Sequence, residues 1–151
     1  MGIRLSADEA WQRIEQSHTG ILTTLRADGC PIALPVWFVA LDRTVYVSTP
    51  PTSKKVARAR RDPRASFLVE SGELWRELSA VHLTGRLTEV SDDVLRGRVR
   101  AELDAKYAPF RVARDQLPTR TRTAYQQFTV LCFSPDNRIL SWDNARIPLG
   151  G

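Results

Sequence analysis

The stretch GILTTLRADGCPIALPVWFVALDRTVYVSTP, residues 20–50, decides the fold class. It opens with the strand formers ILTTL, and the Asp28-Gly29 dipeptide that follows is a strong signal of a tight hairpin. The run PIALPVWFVAL predicts a second strand, in which Pro35 marks an edge, a bulge or a bend. A tight connection at 42–44 leads to VYVST, so the segment predicts three antiparallel strands in meander order.

Outside this segment, short strands and helices continue to alternate. Ser6 and Glu9 form a capping-box pattern, which predicts a helix over 6–16. Two further strands are predicted at RASFLVES and AVHLTGRLTEV, with a turn or short helix at GELWREL between them. Ser91 is the expected cap of another helix, whose predicted buried stripe is Val94, Leu95, Val99 and Leu103.

The last two strands are predicted at TAYQQFTVLCFSP and NRILSWDNA. About seven short strands and three helices indicate a mainly β fold with flanking helices, arranged as a closed or partly closed antiparallel barrel. The length of 151 residues suits a single domain spanning 1–151.

The composition indicates the cellular compartment in which the protein is expected. No apolar run approaches the roughly 18 residues of a membrane span, and the N-terminus lacks the apolar segment of a secretory signal. Cys30 and Cys132 lie in strand-like apolar sequence and form no CxxC pattern. They are predicted to be buried thiols in a reducing compartment, which places the protein in the cytoplasm.

The net charge of +5 comes from one segment, residues 54–64, which holds six cations and the single acid Asp62. The other 16 basic residues, 22 less six, balance the other 16 acidic residues, 17 less one. Thr52 and Ser53 are good N-caps, and KKVARARR predicts a helix that Asp62-Pro63 ends. The six cations are Lys54, Lys55, Arg58, Arg60, Arg61 and Arg64.

Cations in the first turn of this helix are at the unfavourable end of its dipole, at a cost of roughly 0.3–1 kcal/mol each. A bound anion reverses that sign, because free N–H groups, the cap hydroxyls and the lysines then converge on it. Lys54, Arg58 and Arg61 share one helix face and would extend the site. The alternative is a solvated face whose cations pair with scattered acids.

From Gly20 to about Arg146, the sequence resembles the flavin and deazaflavin oxidoreductases of the pyridoxamine-5'-phosphate-oxidase-like superfamily. The resemblance is carried by PVWF, by STP followed by SKKVARARRDPRAS, and by GRLTEV and ILSWDNARI. It implies a split β-barrel homodimer with two cofactor sites at its interface. The implied cofactor is FMN or the deazaflavin coenzyme F-420, and the closing RIPLGG lacks the arginine-rich segment of the enzymes that oxidise vitamin B6.

The resemblance also assigns site residues by position. It implies that the ring of the cofactor lies beside Val36, Trp37 and Phe38, and that Trp142 of the other subunit covers it. The cofactor phosphate is expected at Ser48, Thr49, Ser53, Lys54, Lys55 and Arg58. Arg58, Arg61 and Arg64 would accept the acidic tail of coenzyme F-420, which favours the deazaflavin. For Trp37 and Trp142, a core or interface position is the alternative, and it is the expected one for Trp75.

The implied activity is hydride transfer to a small electrophilic substrate, with the cofactor supplying the chemistry. No residue is singled out as the catalytic acid. His82 is expected to be structural, and Tyr46, Tyr107 and Tyr125 are equivalent candidates. No metal site, hydrolase motif or nucleotide-triphosphate loop is found. The alternatives are a flavin, deazaflavin or haem carrier or sensor without turnover, and a nucleic-acid binder, which the confined charge disfavours.

Overall fold

The computed structural model describes residues 2–150, in which four helices flank a seven-stranded antiparallel sheet. The helices are α1 (Ala7–Gln16), α2 (Lys54–Arg61), α3 (Asp93–Tyr107) and α4 (Thr119–Ala124). The strands are β1 (Gly20–Leu25), β2 (Pro31–Val36), β3 (Val39–Leu41), β4 (Thr44–Thr49), β5 (Arg64–Ser71), β6 (Ser79–Glu89) and β7 (Thr129–Asp143). The predicted mainly β fold is therefore confirmed.

The sheet curls into a half-barrel, and one strand predicted from the sequence is broken in two. The strand order is β2-β1-β5-β6-β7-β4-β3, so β2 and β3, which are consecutive in the chain, lie at opposite edges. The prediction of a single strand at PIALPVWFVAL is wrong: it breaks at Trp37 and Phe38. Both halves still pair as the meander requires, β2 with β1 and β3 with β4.

The predicted strands six and seven are one strand, β7, with a bulge. β7 pairs with β6 on both sides of a register shift between Leu83 and Gly85. A Cβ on Gly85 would lie 2.2 Å from the Ser134 carbonyl oxygen, so only glycine allows the strands to approach there. TAYQQF is not part of β7. It forms the end of α4 and the turn that follows, and its backbone hydrogen bonds join residues close together in the chain.

The first helix has the predicted cap, and the third begins one residue later than predicted. Ser6 and Glu9 form both bonds of the capping box of α1. The cap of α3 is Asp92 and not Ser91, since the Asp92 carboxylate accepts from Leu95 N–H at 2.8 Å. The buried stripe of α3 also differs from the predicted one. Val94 is 84% exposed, and the buried residues of α3 are Val99, Leu103 and Tyr107.

One face of the curled sheet forms the main core. Phe67, Leu83 and Phe133 pack there against side chains of α1 and α2. A smaller cluster lies between α3 and the strands β3, β4 and β7. Cys30 is exposed beside the hairpin turn and Cys132 is half-buried, so the prediction of buried thiols is wrong for Cys30. Among the described residues, no helix has the length and apolar content to cross a bilayer.

Candidate functional site

The N-terminus of α2 carries a polar group without a partner. Ser53 occupies the N-cap position, with φ −66° and ψ 150°, but its side chain makes no capping bond. Its Oγ atom is buried and has no hydrogen-bond partner among the described residues. An unsatisfied buried hydroxyl costs on the order of 1–3 kcal/mol. Ser53 Oγ is therefore available to a hydrogen-bonding group from outside the described residues.

The cations of the basic segment separate into two groups. Three of them are held by this chain itself. Arg60 forms two bonds to Glu89 at 2.7 and 2.9 Å, Arg64 binds Asp62 at 2.7 Å, and Arg61 donates to the Leu25 carbonyl at 2.8 Å. The Arg64 guanidinium lowers the pKa of Asp62 to about 2, as expected for a carboxylate held in an ion pair.

The other three cations follow Ser53 in the first two turns of α2 and make no ion pair within the part of the chain that the structure describes. They are Lys54, Lys55 and Arg58. Lys54 is exposed, whereas Lys55 and Arg58 are half-buried. Half-buried cations without a counter-ion, next to a free hydroxyl and a helix N-terminus, form an anion-binding arrangement.

The predicted tail-binding face is not formed. Arg64 lies in β5 and not on α2, and its guanidinium is bound to Asp62. Arg61 is turned toward the Leu25 carbonyl. Of the three residues expected to accept an acidic tail, Arg58 alone has no hydrogen-bond or ion-pair partner within residues 2–150. The reason given for preferring the deazaflavin therefore no longer holds.

The sheet places Ser48, Thr49 and Trp37 toward one end of β4. Ser48 and Thr49 are the last residues of β4, immediately before the loop that leads to α2. β3 pairs antiparallel with β4, with Val39 opposite Tyr46. The residues just before Val39, Trp37 and Phe38, therefore lie toward the Ser48–Thr49 end of β4, whereas Val36 ends β2 at the opposite edge of the sheet.

Trp37 presents a flat aromatic surface. It is 39% exposed, and its ring stacks on Tyr107 with centroids 4.4 Å apart and planes 2° from parallel. His18 lies edge-on to both rings, at 5.8 and 5.3 Å. Because one face of the indole is fixed by the buried Tyr107 ring, Trp37 can offer the remainder of its surface to a planar ligand.

Phe38 differs from expectation in its surroundings. Its side chain is fully buried, edge-on to Phe67 at 4.8 Å. Its N–H donates to the Tyr107 hydroxyl at 2.8 Å, and its carbonyl accepts from Lys106 Nζ at 3.0 Å. The ring and main chain of Phe38 are therefore occupied by the protein, so of the three residues predicted beside the ring, Trp37 is the accessible one and Val36 is half-buried.

Tyr107 fixes the strand break that exposes Trp37. Besides accepting from Phe38 N–H, its hydroxyl lies 2.8 Å from the His18 carbonyl and 2.9 Å from the Phe38 carbonyl. Burial raises the pKa of this hydroxyl, so it stays protonated and able to donate. A fully buried and fully bonded hydroxyl makes Tyr107 a positioning residue for Trp37.

We expect Tyr107→Phe to lower the free energy of unfolding by roughly 1–3 kcal/mol, because it leaves the buried Phe38 N–H without an acceptor. Chemical denaturation measures the loss. The matched control is Tyr125→Phe, since the Tyr125 side chain is 50% exposed and should tolerate the change within about 0.5 kcal/mol. Equal stability of the two variants would contradict the positioning role.

Trp142 is not part of this site within one chain. It lies near the end of β7 and pairs with Ala80, whereas the other end of β7 begins at Thr129, opposite Thr49. Trp142 is half-buried, and Trp75, predicted in the core or an interface, is 59% exposed. A contribution from Trp142 therefore requires a second copy of the chain.

The outer face of the sheet carries an apolar row. Ile21 pairs with Pro35 and Leu68, Leu68 pairs with His82, and His82 pairs with Leu140. Directly paired residues point to the same side of a sheet, and these alternate with core residues such as Phe67. Leu140 is 56% exposed, so the row ends as an uncovered apolar surface.

Two cavities lie elsewhere in the molecule. One, of about 160 Å³, is lined by Arg13, Gln16, Ser17, Val69, Glu70, Ser71 and Ser79. The other, of about 350 Å³, lies between α1, β3 and α3 and includes Lys106. Neither cavity is lined by Ser53. No group of three potential metal ligands occurs in residues 2–150.

Sequence reasoning missed the role of two residues at the end of α3. Tyr107 continues the spacing of Val99 and Leu103, so the helical period contained a signal for its burial. Lys106 gave no such signal, because its importance comes from carbonyls of two distant segments, Ser17 and Phe38.

The comparisons with known proteins agree on the fold. A family model described as pyridoxamine 5'-phosphate oxidase matches residues 6–137. A conserved hypothetical protein of Mycobacterium tuberculosis is 25% identical over 99% of this chain and 94% of that one, with a TM-score of 0.80. An FAD-binding protein of Mesorhizobium loti is 20% identical over 91% and 93%, with a TM-score of 0.69.

A heme storage protein of Vibrio cholerae also has this fold, at 14% identity over 97% of this chain and 100% of that one, with a TM-score of 0.70. No curated protein sequence matches the chain. The same half-barrel therefore occurs in proteins that are described as binding different ligands.

Proposed function

Since this chain belongs to the pyridoxamine 5'-phosphate oxidase family, we propose that it binds a phosphorylated flavin-type cofactor and passes a hydride to a small electrophilic substrate. The cofactor is FMN or the deazaflavin coenzyme F-420, each of which joins a phosphate to a tricyclic ring. A flavin is also the ligand class of the Mesorhizobium loti protein with this fold, which is described as FAD-binding.

The observation that carries the proposal is the unpartnered Oγ of Ser53 at the start of α2. A phosphate oxygen accepts from a hydroxyl, from free helix N–H groups and from cations, which are the groups assembled there. Lys54, Lys55 and Arg58 supply the positive charge, and Ser48 and Thr49 close the site from β4. The residues present thus fit the phosphate of the proposed cofactor.

The ring of the cofactor needs a flat apolar wall, which Trp37 supplies. Tyr107 holds that wall in place, and the Phe38 main chain is already bonded. When bound, the cofactor supplies the hydride chemistry, while the chain binds the phosphate, orients the ring and shapes the place of the substrate.

We propose further that the active form is a homodimer. The apolar row from Pro35 to Leu140 and the edge strand β2 leave apolar surface uncovered in one chain. A two-fold partner seated on this face would cover Leu140 and bring its own Trp142 toward the cofactor. The site around Ser53 would then gain a further wall from the partner.

The test is a parallel fluorescence titration of the purified protein with FMN and with coenzyme F-420. We expect saturable binding of at least one of them, because the cationic site and the aromatic wall recognise features that both share. Inorganic phosphate should compete at high concentration. Failure of both cofactors to bind, with the protein folded, would contradict the proposal.

A second candidate is a carrier or sensor that binds a flavin, deazaflavin or haem without turnover. It is favoured by the heme storage protein of Vibrio cholerae, which has the same fold. One assay distinguishes the two functions. The reduced cofactor is mixed, with and without the protein, with a panel of quinones and unsaturated ketones. Reoxidation accelerated by the protein indicates an enzyme, and binding without acceleration indicates a carrier.

A further inference from the structure

The sequence contains three lysines, and one of them lies in an environment unlike that of the other two. Lys54 and Lys55 belong to the basic segment at the start of α2, whereas Lys106 is near the end of α3. Lys106 lines the cavity of about 350 Å³ between α1, β3 and α3. Among the described residues it forms no ion pair with any carboxylate.

The hydrogen bonds of Lys106 suit a neutral amine. Its Nζ donates to the Ser17 carbonyl at 2.8 Å and to the Phe38 carbonyl at 3.0 Å. A neutral primary amine has two N–H groups and one lone pair. Both N–H groups are therefore satisfied by carbonyls, and deprotonation leaves no buried donor or acceptor of the protein unpaired.

Burial lowers the pKa of Lys106 from 10.5 to about 8, because the half-buried ammonium is poorly hydrated. At pH 8 about half of such amines are neutral, against about 0.3% of ordinary exposed lysines. Its Nζ also lies 3.9 Å from the centroid of the Phe38 ring and 5.2 Å from that of the Tyr107 ring, and the titratable groups that line the cavity with it are Glu15 from α1 and Glu102 from its own helix.

We propose that Lys106 is a nucleophilic amine that captures small neutral carbonyl compounds as imines in this cavity. The Nζ lone pair attacks the carbonyl carbon, a carbon–nitrogen double bond forms, and the carbonyl oxygen leaves as water with the two amine protons. Protonation of the imine from solvent then restores a positive charge and one N–H. The proposal does not depend on the identity of the cofactor.

The lining of the cavity selects the class of carbonyl compound. Val39, Ala40, Leu41 and Ala105 give it an apolar surface. Glu15 and Glu102 add two carboxylates, which stabilise a cationic imine and repel an anionic aldehyde. Neutral, apolar aldehydes are therefore the expected reactants, and carboxylate-bearing ones are disfavoured.

The experiment is reductive trapping of the purified protein with propionaldehyde and cyanoborohydride between pH 7 and 9. Chymotryptic peptides analysed by mass spectrometry separate Lys106 from the adjacent Lys54 and Lys55, which share one peptide, and added Nα-acetyl-lysine serves as an internal standard. We expect Lys106 to be labelled at least about tenfold faster than Lys54 and Lys55 at pH 8. Its rate should rise with pH with a midpoint near 8.

Two comparisons test the mechanism. Glyoxylate, an anionic aldehyde, should label Lys106 more slowly than propionaldehyde relative to the standard, and Glu102→Gln should reduce that difference. Lys106→Arg keeps N–H donors for both carbonyls and should fold without labelling at this position. The wild-type protein alone is enough to overturn the proposal. It would do so if Lys106 were labelled no faster than Lys54 and Lys55, or if Lys106 reacted faster with glyoxylate than with propionaldehyde.

Discussion

Arg58→Ala weakens cofactor binding by roughly 1–3 kcal/mol, about 5- to 150-fold in Kd, because it removes one charge-assisted bond to the phosphate. Lys54→Ala has an effect in the same range for the same reason. The fluorescence titration with FMN and coenzyme F-420 measures both. The loss should grow smaller at high salt, since part of it comes from the charge of the site.

Arg60→Ala is the matched control. Arg60 lies on the same helix, carries the same charge and is exposed, but its guanidinium is bound to Glu89. We expect it to change Kd by less than about threefold, because it adds only to the long-range field of the site. If Arg60→Ala and Arg58→Ala weakened binding equally, the phosphate would not be held by the three unpaired cations.

Leu140→Asp converts the proposed dimer into a monomer. The substitution places a carboxylate within the apolar row of the outer face, and two-fold symmetry would bury one copy from each subunit. We expect the dissociation constant of the dimer to rise on the order of 100-fold or more, which sedimentation velocity measures at micromolar protein. Cofactor affinity should fall with it, because the partner supplies part of the site.

Val94→Asp controls for the introduction of an acid. Val94 is 84% exposed on α3 and does not belong to the apolar row of the sheet. This variant should keep both the oligomeric state and the affinity for the cofactor. A wild-type protein that sediments as a monomer and yet binds cofactor with full affinity would refute the two-subunit site.

The elements formed by neighbouring residues are the ones that could be predicted. The Asp28-Gly29 turn appears where expected, with Gly29 at φ +84°, which glycine adopts without strain. The capping box of α1 and the start of α2 at Lys54 are also as predicted. In each case the deciding interactions span only a few residues.

In the candidate site, too, the local features could be predicted and the long-range contacts could not. The sequence supplied the cations, the cap hydroxyl and Trp37, but it could not tell which cations were free. Glu89 is distant from Arg60 in the chain, and the Leu25 carbonyl that binds Arg61 belongs to another strand. Only the pairing of the strands decides which charges remain for a ligand.

By itself, the sequence determined the mainly antiparallel architecture, the helix at 54–61 and the concentration of positive charge on it, because periodicity, turn chemistry and charge are local properties. The tertiary structure alone decided the break at Trp37 and Phe38. That break depends on Tyr107 and Lys106 reaching the main chain of Phe38 from α3, and on a curled sheet that needs β2 and β3 at opposite edges. Such contacts join residues far apart in the chain, so no short segment of the sequence encodes them.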